Sequence, residues 1–284
     1  MRQNVFAINR QVKARALDAL SGNFFSVLKV FVVPTVLYMA IAAIGNDFLS
    51  SATAIVYGML ALGFFPHAST LMALQERDAN EARAYAKSWS WLALFKVWAN
   101  RLNMGVDYLV FTTVLTVFGI GSLFGVLIPA VLVGTFLDGF TFIGIIASGV
   151  IMMSWVVIAV WVSLKLGLND FVFADAIFGD MSATAFNDVN FAKMTMLERL
   201  GAIIRTSWTL MTWSVFWRYV WLGLTLLGWF ILGAVTLGLG LLFAVPYALM
   251  AYVAFYEQVV SEKYGQFSEE ESVVTISTRV LDEQ

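Results

Sequence analysis

The chain has 284 residues, 60% of them hydrophobic and only 13% charged, against roughly 45 to 50% and about 25% in an ordinary soluble domain. Lipid is the solvent that such a composition fits. A net charge of −2 without a Lys/Arg-rich block leaves a nucleic-acid partner no electrostatic footprint, and the lack of cysteine excludes disulfides, thiolate catalysis and cysteine-based metal sites.

At the start of the chain, Val5, Ile8, Val12, Leu17 and Leu20 recur at helical spacing opposite Arg10, Lys13 and Arg15. This pattern predicts an amphipathic helix on the membrane surface over residues 1–23, ended by Gly22-Asn23. The apolar stretch that follows is too long for a signal-peptide core and lacks a small-residue cleavage site, so it is expected to remain as an anchor. A bilayer core of about 30 Å needs roughly 20 apolar residues in a helix. Six segments meet that length: residues 24–44, 52–74, 106–131, 140–166, 216–236 and 241–257. Turn signals at Gly45-Asn46-Asp47 and Asp138-Gly139, and Gly238 and Gly240 before the last segment, join them into three hairpins. The expected fold is therefore all-α, a polytopic membrane bundle of about six helices over residues 24–260. An acidic tail over 261–284, with Glu262, Glu269, Glu270, Glu271, Asp282 and Glu283, reads as a flexible extension.

Lys and Arg are retained in cytoplasmic loops, and all 17 fall on one side of this arrangement. Arg2, Arg10, Lys13 and Arg15 precede the first span. Arg77, Arg83, Lys87, Lys96 and Arg101 lie between the second and third, and Lys193, Arg199 and Arg205 between the fourth and fifth. Lys263 and Arg279 follow the last, and Lys29, Lys165 and Arg218 sit at helix ends on the same face. Both termini are thus expected in the cytoplasm. Two further amphipathic segments, residues 82–100 and about 194–213, precede the second and third hairpins. The hairpins begin similarly at Lys29, Lys96 and Arg218, each cation among apolar or aromatic neighbours; snorkelling cations and belt aromatics explain that likeness more simply than an internal repeat.

Candidate chemistry is sparse. His67, the lone histidine, follows Pro66 inside the second span, where an ionisable group raises the idea of a proton relay; a hydrogen bond to a neighbouring helix or to a carbonyl freed by the proline is the simpler role. Lys29, Asp107, Lys165, Arg218 and Glu257 lie near the cytoplasmic ends of spans, where opposite signs would pair with one another or bind an ion or lipid headgroup. Asp170, Asp175, Asp180 and Asp188 crowd residues 168–192 without the spacing of a calcium loop, and that stretch reads as solvated. Gly119, Gly121 and Gly125 favour close helix packing or a break near Pro129 over phosphate binding, because no strand precedes them. No catalytic motif, metal set or cofactor motif is recognisable.

Short ordered matches carry one resemblance: Ala16-Leu17, Leu20-Ser21-Gly22-Asn23-Phe24, Ser207, Leu210-Met211, Phe216, Gly228-Trp229, Thr236, Gly238, Gly240, Pro246-Tyr247, Ala254 and Tyr256. In these the chain resembles a family of uncharacterised bacterial integral membrane proteins, domain of unknown function 975. The matches cover the N-terminal helix and residues 200–257; Thr212-Trp213 replaces an expected glycine-containing turn, and Ile128-Pro129 is followed by Ala130. The resemblance implies a multi-pass protein of a bacterial cell membrane and brings no catalytic or ligand-binding residues. Three functions are compatible with these readings: a non-enzymatic scaffold or accessory subunit, with the bilayer and another membrane or cytoplasmic protein as partners; a small-solute or peptide transporter; and a lipid-associated enzyme. The first requires no buried charge and is the one expected.

Overall fold

The computed structural model of the chain describes residues 5–44, 47–90, 105–113, 128, 131–132, 135, 141–179, 184–186, 191–236 and 240–264. In chain order the described elements are α1 (Val5–Leu20), α2 (Phe24–Ala43), α3 (Asp47–Arg77), α4 (Ala79–Ser88), helical residues 105–113, α5 (Thr141–Lys165) and α6 (Asn169–Phe178). A 3-10 turn (Phe191–Lys193) then precedes α7 (Met196–Leu210), α8 (Trp213–Val235) and α9 (Leu241–Tyr264). No strand occurs among the described residues.

Among the described residues, three stretches are long and apolar enough to cross a membrane: Ile146–Phe178, Trp213–Gly233 and Leu241–Tyr264. The fold is therefore helical and membrane-compatible, but the six spans expected from hydropathy are not reached among the described residues. α2 and α3 are helical across the first two expected spans, whereas most of 106–131, with Pro129 and the Gly119–Gly125 pattern, lies outside the described residues. Apolar composition does not tell which surroundings a helix has, because one sheathed by protein and one sheathed by lipid read alike.

The three stretches show both situations. None of the most apolar window of the first is buried by protein, whereas 72% of that of the last is. α5 turns Val150, Met153, Val157 and Val160 outward, a surface that water would not stabilise. α9 is instead the axis of the bundle, packed against α1, α2, α3, α7 and α8. Its Ala248, Ala251 and Ala254 are buried and small enough to let those helices approach. Tightness recurs at the α8–α9 turn, where a Cβ on Gly240 would lie 2.7 Å from the Gly233 Cα, so neither position accepts a larger residue without movement.

Three expectations change in the folded chain. α1 has the expected amphipathic stripe, but Ile8, Val12, Ala16, Ala19 and Leu20 are buried against α9, α3 and α8, not against lipid, while Leu17 points outward. Gly22, at φ +79, ends it in the left-handed conformation that glycine adopts without strain. Residues 169–178, expected to be solvated, form the buried helix α6, whose Phe171 stacks on Phe65 at 4.4 Å and on Tyr256 at 5.9 Å. The run Phe171-Val172-Phe173-Ala174 is apolar on every side because every side is covered. Finally, α9 continues to Tyr264, which takes Glu262 out of the expected flexible tail and into a helix. Residues 265–284 are outside the described residues.

Candidate functional site at the charged end of the bundle

The described ion pairs join α1 to the ends of α3 and α9, α8 to the end of α9, and α7 to Asp107. α1 supplies Arg15, whose Nε donates to Glu76 at the end of α3 (2.5 Å) and whose Nη1 donates to Glu257 on α9 (2.5 Å). Glu257 is 2% exposed and accepts a second hydrogen bond from the Ser69 hydroxyl. Burial alone would lower the Arg15 pKa, but the carboxylates of Glu257 and Glu76 outweigh it and hold the guanidinium above its ordinary value.

One turn further along α9, Glu262 takes a two-pronged contact from Arg218 of α8, at 2.7 and 3.1 Å. The Arg218 guanidinium also lies over the Phe255 ring at 5.7 Å, and its carbonyl accepts the Asn9 side-chain amide at 3.0 Å. Asp107 pairs with Arg199 of α7 at 2.5 Å beside a crevice lined by Phe173, Ile177 and Leu200. Lys165 donates to the Met211 carbonyl between the rings of Trp161 and Trp208, and Lys29 donates to the Lys87 carbonyl at 2.8 Å. α7 itself begins with a reciprocal cap in which Thr195 and Glu198 satisfy each other's backbone and side chain. The Thr195 amide and hydroxyl hold the exposed Glu198 carboxyl below its ordinary pKa.

The structure therefore does not pair the five charged candidates with one another. Glu257, Arg218 and Asp107 each find a partner elsewhere, namely Arg15, Glu262 and Arg199, while Lys29 and Lys165 cap backbone carbonyls. His67 stands apart from this cluster. Its Nδ1 shares a hydrogen bond with the Tyr85 hydroxyl of α4 at 2.7 Å, and it packs beside Trp89. Thr70 on the same helix donates its hydroxyl to the Pro66 carbonyl at 3.0 Å.

Asp175 was not legible as a site residue. It is 1% exposed and accepts the Tyr256 hydroxyl at 2.7 Å and the Ala185 amide at 2.8 Å. The available signal was a lone carboxylate within the apolar run of residues 171–178. Asp180 and Asp188 lie outside the described residues, and among the described residues no group of three or more His, Asp or Glu could hold a metal ion. Comparison with protein-family models, with curated proteins and with solved structures gives no match.

Proposed function

We propose that this chain is a multi-pass protein of a bacterial cell membrane that serves as a non-enzymatic scaffold or accessory subunit, with both termini and its protein-binding surface in the cytoplasm. The observation that supports it is the use of the charged groups. Glu257, Arg218, Asp107, Lys29, Lys165 and His67 all contact other elements of the same chain, as fasteners between helices do. In this reading α2 and the apolar part of α3 add crossings to the three counted stretches, toward six in three hairpins, and membership of the domain-of-unknown-function-975 family belongs to the same proposal.

A transporter is the second reading. It is favoured by ionisable side chains buried between α3, α6 and α9, Glu257 with Ser69 and Asp175 with Tyr256, and by Pro66 and Pro246 inside α3 and α9. Affinity purification of the full chain in mild detergent separates the two. A stoichiometric membrane or cytoplasmic protein is the expected result; a monodisperse monomer carrying a bound solute would replace the accessory reading with transport.

A further inference from the structure

The carboxylates that tie the charged end together are answered within the chain: Glu257 and Glu76 by Arg15, Asp107 by Arg199, Glu262 by Arg218, and Asp175 by a hydroxyl and an amide. Asp170 is not. It is the second residue of α6, it is exposed, and no Lys or Arg among the described residues forms an ion pair with it. What surrounds it is aromatic. The Tyr108 hydroxyl donates to its carboxylate, and the Tyr219 hydroxyl donates to the carbonyl of Gly167, three residues before Asp170, at 3.4 Å. The Tyr219 and Tyr252 rings are 5.5 Å apart, and Tyr252 lies 6.3 Å from Phe171.

The backbone is shaped around these rings. A Cβ on Gly167 would come within 3.0 Å of the Tyr219 ring, and one on Gly223 within 3.3 Å of the Tyr252 hydroxyl. Next to Asp170, the Asn169 side chain is 4% exposed, and neither its oxygen nor its nitrogen has a hydrogen-bond partner. An exposed carboxylate beside several tyrosines repels anions and offers a small divalent ion too few oxygens. It suits an ammonium group, which is attracted both by the negative charge and by the ring faces. Asp170 comes five residues after Lys165, which ends α5, and so lies near the depth of the headgroup layer.

We propose that Asp170, with Tyr108, Tyr219 and Tyr252, binds an ammonium group carried by an ethanolamine lipid headgroup or by a soluble amine. The site stands independently of the accessory reading, because it needs no protein partner.

The full chain in neutral detergent tests it. Ethylammonium chloride is expected to raise Tm in a saturable way that the same concentration of sodium chloride does not reproduce. Asp170→Asn should remove that rise, and Tyr252→Leu should raise the half-saturating concentration about tenfold. In nanodiscs of mixed phosphatidylethanolamine and phosphatidylglycerol, selective retention of the ethanolamine lipid in native mass spectra, lost in Asp170→Asn, assigns the lipid as source. A response to the soluble salt without such retention assigns a free amine. Wild-type protein that neither distinguishes ethylammonium from sodium nor retains the ethanolamine lipid overturns the proposal, as does an undiminished response in Asp170→Asn. If that variant does not fold, unchanged half-saturation in Tyr252→Leu overturns it equally.

Discussion

At the scale of single residues, Arg15 is where burial and charge compete most directly. It bridges an almost fully buried carboxylate, Glu257, and a half-exposed one, Glu76. Removing the exposed arm loses a screened pair, whereas removing the arginine strands a buried charge. Glu76→Ala is therefore expected to destabilise by no more than about 1 kcal/mol and Arg15→Met by roughly 2 to 4 kcal/mol, with the arginine's partial exposure keeping the cost toward the lower value. Unfolding in mixed micelles reads both. Glu198 gives a pH test at the same scale. Its folded pKa is depressed, so its capping contribution is complete above the unfolded carboxyl pKa and is lost as pH falls through the folded value. Hydrogen-exchange protection of the first turn of α7 should drop on acidification in the wild type, and Glu198→Ala should show no such drop. The charged candidates were legible because ionisable groups near apolar runs are rare. Their partners were not, since Arg15 and Glu257 lie 242 residues apart and no local pattern joins them.

At the scale of elements, α5 and α6 show where apolar pattern informs and where it misleads. The most apolar window of α5 has no protein-buried residue, and Val150, Met153, Val157 and Val160 face outward, a surface suited to lipid. Met153→Lys should then cost about 2.5 to 3.5 kcal/mol in a membrane-insertion assay; a near-neutral result would mean that this face meets water. α6 was misread because four aspartates in the stretch 168–192 outweighed the apolar run between them, yet the fold buries Asp175 and supplies its hydrogen bonds from α9 and Ala185. α1 was recognised by its period, but its partner was not: the same stripe fits a membrane surface or a protein groove, and the groove between α9, α3 and α8 takes it. The α8–α9 turn was legible from its glycines. Gly240→Ala should destabilise by roughly 1 to 3 kcal/mol through overpacking against Gly233, measured as a lower midpoint in the same micelle titration.

At the scale of the whole molecule, the asymmetric placement of cations makes an orientation test direct. An exterior-active reporter fused at Asp138 should be functional and one fused after Gln284 should not; the reverse pattern would invert the topology and move the proposed protein-binding surface to the other face. What the sequence determined by itself is a helical chain apolar enough to cross a membrane, because composition and run length act locally and additively along a helix. The tertiary structure alone decided which apolar helices are wrapped by protein, which charges meet, and that Asp175 is buried while Asp170 is exposed beside Tyr108. Those outcomes depend on contacts between segments distant in the chain, and hydropathy reports how much a residue avoids water without reporting what replaces the water.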